Sequence, residues 1–273
     1  MNTVKVLNLE IDNLTLDHLL NQLDAGVVYT PNVDHLVKLQ DDVAFMEAYK
    51  AADYKVCDSK VLLYAAQFLG SPLQEKISGS DLFPAFYEFH QNNSGIRIFL
   101  LGAMEGVAAQ AQAIINQKVG KEMIVGSYSP PFGFEKDELE CQNIIQMVKA
   151  SGATVLAVGV GAPKQEKFIH KYRQQFLSIK IFLAIGATID FEAGNVSRSP
   201  KWVSNLGLEW LYRLTAEPQR LWKRYLLEDP RFLWLLILQK FNLYQDPLAS
   251  SSDVSSTNEE DTDSASKASF IQP

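Results

Sequence analysis

Val155-Leu156-Ala157-Val158 runs into Gly159-Val160-Gly161-Ala162-Pro163 and then into Lys164-Gln165-Glu166-Lys167. A short apolar run stops at glycine, and a polar, helix-forming segment begins at once. Strands buried on both faces of a parallel sheet have this pattern, because neither face alternates toward water. The pattern recurs on both sides of the stretch. Candidate strands cover residues 4–9, 27–30, 54–57, 97–101, 123–128, 155–158 and 181–185. Helical patterns cover 34–50, 59–69, 81–91, 105–119, 135–150 and 163–176. Alternation of this kind predicts an α/β domain over residues 1–200, a Rossmann-like, mostly parallel sheet flanked by helices.

Size and charge narrow the class. With 273 residues, 47% of them hydrophobic, the chain can bury a core of full domain size. The formal charge of −7 is unevenly spread. Residues 199–245 carry seven Lys and Arg against four acids, whereas residues 246–273 carry six acids and one Lys. A basic segment therefore precedes an acidic, Ser- and Thr-rich tail that is expected to be disordered. Cys57 and Cys141 are the two cysteines, too few for a disulfide framework and wrongly spaced for zinc. The four histidines show no ligand spacing, so neither a metal nor a cofactor is expected. Met1 is not followed by a basic stretch and a long apolar run, which argues against a secretory signal. The longest apolar run, residues 232–238, is far short of the roughly 20 residues of a membrane-spanning helix. A cytoplasmic protein is expected, with any membrane contact peripheral and no nucleic-acid partner.

Ligands of open α/β sheets bind at the carboxyl ends of the strands, and several strand ends here carry suitable residues. Thr30-Pro31-Asn32 follows the second strand, Asp58 the third, Gly102 the fourth, Gly161 the sixth and Asp190 the seventh. A carboxylate at Asp58 can take a proton from a hydroxyl nucleophile; the alternative use of Asp58 is as N-cap of the helix beginning at Ser59, and position alone favours the cap. Thr30 and Asn32 offer neutral partners for sugar hydroxyls, or simply form a turn in which Pro31 fixes φ and Asn32 or Asp34 caps the next helix. Gly159 and Gly161 allow close backbone approach to a phosphate at a helix N-terminus. The third glycine of the dinucleotide fingerprint is missing, and there is no Walker pattern. Gln165, in the first helical turn, can reach a sugar or acceptor. Lys76 is either a phosphate-binding cation or a solvated lysine. Asp41-Asp42 lies in a helical pattern and is expected on a solvated face, and Cys57 is expected to be a small buried residue.

After Pro200 the character changes. All four tryptophans lie between residues 202 and 234, interleaved with Arg213, Arg220, Lys223, Arg224 and Arg231. Pro218 and Pro230 fall at expected first-turn positions and divide the stretch into short helices. Arg220, Lys223 and Arg224 share one helical face, opposite Leu221, Trp222, Tyr225 and Leu226. Residues 201–245 are thus expected to form a helical, basic-aromatic appendage, suited either to an anionic lipid surface or to packing on the core or between subunits.

Several stretches together resemble one family. They are Thr30-Pro31-Asn32, Cys57-Asp58, Leu69-Gly70-Ser71-Pro72, Lys76-Ile77-Ser78-Gly79-Ser80-Asp81-Leu82 and the Gly159–Lys167 stretch quoted above. Farther on come Gly186-Ala187-Thr188-Ile189-Asp190-Phe191-Glu192-Ala193-Gly194, Arg198-Ser199-Pro200-Lys201-Trp202, Leu206-Gly207-Leu208-Glu209-Trp210-Leu211-Tyr212-Arg213-Leu214 and Glu217-Pro218-Gln219-Arg220-Leu221. In this order they resemble the WecG/TagA/CpsF glycosyltransferases. That resemblance implies an inverting transferase that moves a sugar of the N-acetylmannosamine type, or a related hexose, from a UDP-sugar donor to a polyprenyl-diphosphate-linked saccharide acceptor. It implies a place in cell-surface polymer synthesis, at the inner face of the cell membrane. It assigns Asp58 as catalytic base, and Thr30, Asn32 and Gln165 to the sugar pocket. Lys76 stands where the family usually has Arg, which keeps the charge but loses the planar fork. Arg213, Arg220 and Arg224 correspond to basic residues of a C-terminal segment that closes the site and touches the membrane. Two other classes compete: a non-catalytic, membrane-associated UDP-sugar-binding partner, and an NAD(P)-dependent oxidoreductase, against which the incomplete glycine fingerprint counts.

Overall fold

The computed structural model describes residues 2–196, 198–200, 203, 207–216, 218–223 and 227–249. Its centre is a six-stranded sheet in which every pair is parallel. The strands are β3 (Gly26–Tyr29), β4 (Tyr54–Lys55), β5 (Ile98–Gly102), β6 (Ile124–Tyr128), β7 (Val155–Gly159) and β8 (Ile181–Ala184), in the order β4-β3-β8-β7-β5-β6. The chain builds β3 and β4 at one edge, crosses to β5 and β6 at the other, and fills the middle with β7 and β8. The expected doubly covered, parallel α/β sheet is thereby observed.

Alternate residues of each central strand feed opposite cores. Val27, Phe99, Leu156, Val158 and Phe182 point to one side, where they meet α2 (Val33–Lys38), α3 (Val43–Lys50), α4 (Lys60–Leu69), α7 (Glu138–Ser151) and α8 (Lys164–Tyr172). Val28, Leu100, Val155, Ala157 and Leu183 point to the other, against α1 (Leu16–Gln22), α5 (Gly79–Phe89), α6 (Val107–Val119) and α9 (Thr188–Glu192). Burial on both faces is why these strands read as continuous apolar runs. At the centre β5 and β7 approach so closely that a Cβ on Gly102 would lie 2.4 Å from the Gly159 carbonyl oxygen, at a φ of +141°. Gly102 is therefore a packing residue of the sheet.

Several local expectations are corrected. The single strand expected at 4–9 is an antiparallel hairpin outside the main sheet, β1 (Thr3–Val6) and β2 (Leu9–Asp12). The chain turns at Leu7-Asn8, where the Asn8 amide donates to the Leu39 carbonyl and the Leu7 N–H to Gln239 Oε1. The helix expected at 34–50 is two, because Asp42 caps α3 by accepting from the Phe45 N–H. Asp41 pairs with Arg231, so neither aspartate is merely a solvated helical side chain. The sequence pattern does not predict helices α1 and α9. Each is short, and burial of Leu19, Leu20 and Ile189 against the sheet matters more to them than helical periodicity.

The C-terminal helices begin at the two prolines as expected, Pro218–Lys223 and Pro230–Lys240, with Glu209–Ala216 before them. The last of these packs back on the domain. Phe232 and Leu236 join the core of the α2/α4 face, and Gln239 and Tyr244 bond to the β1–β2 hairpin and to Gln40. Burial of the Phe232 ring stabilises this docking by about 2 kcal/mol. Of the tail expected from 246, residues 250–273 lie outside the described residues. No helix among the described residues is long and apolar enough to cross a membrane.

Candidate functional site

The carboxyl ends of the strands open into one cleft of about 1410 Å³. Its floor is built by the turns that leave the strands. After β3, Thr30 is buried, and Asn32 both caps α2 through the His35 N–H (3.3 Å) and donates its amide to Asp58 Oδ2 (3.3 Å). Asn32 therefore fills the capping role and still faces the site. The Asp58 N–H donates to the Pro31 carbonyl, which ties the β4 exit to the β3 exit. Helix α4 is capped by Ser59, whose Oγ accepts from the Leu62 N–H at 3.2 Å. This overturns the capping alternative for Asp58, because the next residue already supplies the oxygen. The Asp58 carboxylate, half-buried, lines the cleft instead.

Thr30, Asn32, Asp58, Gly161, Gln165 and Asp190 all line this cleft, so most of the residues singled out from sequence come together. Gly102 is not part of the wall; it is held under it by its contact with Gly159. Gln165 touches the cleft, but it is 3% exposed and its polar atoms are engaged. Its Oε1 accepts from the Gly161 and Gly186 N–H groups, each at 3.2 Å, and its Nε2 donates to Glu166 Oε1 at 2.8 Å. It braces the turns after β7 and β8.

Lys76 is not a solvated lysine. The Ile77 N–H donates to the Cys57 carbonyl, which sets Lys76 against the β4 exit. Its ammonium donates to Asp81 Oδ2 at 2.7 Å and stands 3.9 Å from Glu209 Oε2. Burial alone would depress this ammonium, but the bond to Asp81 and the charges of Asp81, Glu209 and Asp58 outweigh it and raise its pKa. Asp81 also accepts from Ser78 and Arg198. Burial pushes the Asp81 carboxyl up, but the bonds from Lys76, Ser78 and Arg198 win and bring it to about 2. Lys76 thus lies behind the wall, whereas Arg198, Lys38 and Lys164 line the cleft. Arg198 and Glu209 are not among the expected site residues, since neither sits at a strand end, although both fall within the stretches that carry the resemblance.

A second, smaller cavity of about 340 Å³ adjoins the first. Its walls are largely apolar: Val33, Val61, Trp210, Pro230, Phe232 and Leu233. Asn32, Asp58 and Glu209 line both spaces. Cys57 is buried as expected, and burial pushes its thiol up to about 12, so it is no nucleophile. Among the described residues no group of three or more His, Cys, Asp or Glu side chains is placed to hold a metal ion. The backbones of Arg213 and Arg220 lie in the C-terminal helices, but their side chains and all of Arg224 lie outside the described residues.

The larger cleft, floored by glycine turns, thus meets the smaller and more apolar cavity at the Asp58 carboxylate. The sequence profile of the glycosyl transferase WecG/TagA/CpsF family matches residues 4–246. The chain belongs to this family. Membership of the WecG/TagA/CpsF family makes it a glycosyltransferase of cell-surface polymer synthesis. The match spans the sheet, the cleft and the described C-terminal helices alike.

Proposed function

We propose that the protein transfers a hexose of the N-acetylmannosamine type from a UDP-sugar to a saccharide on a polyprenyl diphosphate, with inversion at the anomeric carbon. One observation carries this reading: Asp58 and Asn32, with Glu209, stand at the boundary between the larger, more polar cleft and the smaller, more apolar cavity. The donor is assigned to the cleft, where the glycine turns after β7 and β8 admit a diphosphate and the lining cations Arg198, Lys38 and Lys164, paired in the free protein with Asp81, Asp34 and Glu135, can turn to it. The acceptor enters from the apolar side, where Trp210, Phe232 and Leu233 suit the start of a lipid chain. Asp58 then stands between the two substrates.

In the reaction the acceptor hydroxyl attacks the anomeric carbon opposite the UDP. The C–O bond to UDP breaks as the new one forms, the hydroxyl proton passes to Asp58, and UDP leaves with the electron pair. Arg198 balances the growing diphosphate charge, while Asp81 and Lys76 hold it at the cleft edge. Peripheral membrane contact at the inner face belongs to this reading, and the exposed Leu233, Trp234 and Ile237 of the Pro230–Lys240 helix support it. The test is UDP release by the full chain from a panel of UDP-sugars, with and without polyprenyl-diphosphate-linked acceptor. Acceptor-dependent release from one UDP-sugar is expected. Tight UDP binding without release from any pair would identify a non-catalytic binding partner, and stabilisation by NAD(P) but not UDP an oxidoreductase.

A further inference from the structure

Glu166 is the most deeply buried acid near the cleft, and the mechanism above does not use it. It is 0% exposed, yet it does not line the cleft. Its Oε1 accepts from Gln165 Nε2 at 2.8 Å, its Oε2 has no hydrogen-bond partner, and its backbone carbonyl accepts from the Tyr29 hydroxyl at 3.0 Å. The charged and titratable groups that act on it from the packed elements include Lys38 and Asp34 of α2, Tyr29 of β3 and Tyr49 of α3. Burying a carboxylate with one oxygen unpaired costs stability, so its presence calls for a return elsewhere.

That return lies in the neighbouring amide. Gln165 Oε1 takes N–H groups from two different turns, Gly161 after β7 and Gly186 after β8. A glutamine amide rotated by half a turn would put NH2 against both donors and lose both bonds. The two backbone donors orient one end of the amide, and Glu166 Oε1, accepting at the other end, adds a third bond that the same rotation would lose. We propose that Glu166 is a positioning residue: by fixing the orientation of the Gln165 amide, it locks the Gly161 and Gly186 turns together as the diphosphate-facing floor of the donor cleft. The proposal rests on the reading of the cleft as a UDP-sugar site, but the lock itself is measurable without a ligand.

The chemistry of the pair allows a reciprocal exchange. Glu166→Gln keeps an acceptor oxygen toward Gln165. Glu166→Met removes it without adding a polar group. Gln165→Glu sets two carboxylates against each other, and Gln165→Glu with Glu166→Gln restores one donor facing one acceptor, with the roles swapped. The readouts on the full chain are amide hydrogen exchange at Gly161 and Gly186 and the Kd for UDP. Glu166→Met should speed exchange at both glycines and weaken UDP by about tenfold, the scale of one buried hydrogen bond, while Glu166→Gln stays within about threefold of wild type. Gln165→Glu should weaken UDP increasingly as pH rises from 6 to 9, and the double exchange should recover most of the loss. Unchanged glycine exchange in folded Glu166→Met, or a double exchange no better than Gln165→Glu alone, would overturn the proposal. If Glu166→Met does not fold, the exchange series decides by itself. Wild-type protein that fails to bind UDP would instead sink the donor assignment, and glycine exchange would still report on the lock.

Discussion

Replacing Asp58 by Asn separates chemistry from architecture. The substitution removes the carboxylate charge and its capacity to take a proton, but keeps an oxygen that can accept from Asn32 Nδ2. The helix that follows is capped by Ser59, and the Asp58 backbone N–H, bonded to the Pro31 carbonyl, is untouched. Stability should therefore change by no more than about 0.5 kcal/mol, or roughly 1–2 °C in Tm for a chain of this size. Loss of a cap would instead cost about 1 kcal/mol. Removing a general base lowers the rate by roughly 10²- to 10⁴-fold, equivalent to about 3–5 kcal/mol in the barrier. The assay is steady-state UDP release with saturating donor and lipid-linked acceptor, beside a thermal melt and a UDP titration. The expected outcome is kcat down by at least about 100-fold, with donor Kd and Tm near wild type. A kcat within about threefold of wild type would remove Asp58 from the chemistry. A Tm loss of several degrees would show that the capping argument is mistaken.

Three further outcomes are expected. Stability should respond to pH in two windows. Asp81, held at about 2 against an ordinary 3.8, contributes up to about 2 kcal/mol that is complete above pH ~4 and is lost as pH falls from there toward 2. Glu166, raised to about 7 by burial against the pull of its bond from Gln165, works the other way. Its folded state keeps a proton that the unfolded chain releases, so stability falls as pH rises from about 4.5 through 7. Chemical denaturation between pH 2 and 9 reads both, and Glu166→Gln should flatten only the second. Gly102→Ala, which places a methyl 2.4 Å from the Gly159 oxygen at a positive φ, should cost about 2–5 kcal/mol in urea melts; a loss under about 0.5 kcal/mol would mean that the sheet centre yields readily. Phe232→Ala should cost about 3–5 kcal/mol of stability, the lost ring burial plus the cavity left behind, and expose the Pro230–Lys240 helix to trypsin at Arg231 and Lys240. Unaltered cleavage there would show that the helix is held by other contacts.

The sequence determined the parallel sheet, its double cover and the strand ends from which Thr30, Asn32, Asp58, Gly161 and Asp190 reach one cleft. It could do so because burial on both faces writes itself as unbroken apolar runs, and because the residue after a buried strand has one direction to go. It did not decide how those residues divide their hydrogen bonds. Asp58 was readable as a cap until the Ser59 hydroxyl was seen in that place. Gln165 reads as a ligand contact in the sequence, and the structure adds that its amide spans two turns and Glu166 at the edge of the cleft. Lys76 was readable as a surface cation until Asp81 was found against it. The packing role of Gly102, the place of Glu166 and the second cavity beside Asp58 are legible only in three dimensions. Each depends on atoms brought together from distant parts of the chain, and neither periodicity nor local spacing encodes which of several possible partners a polar group will meet.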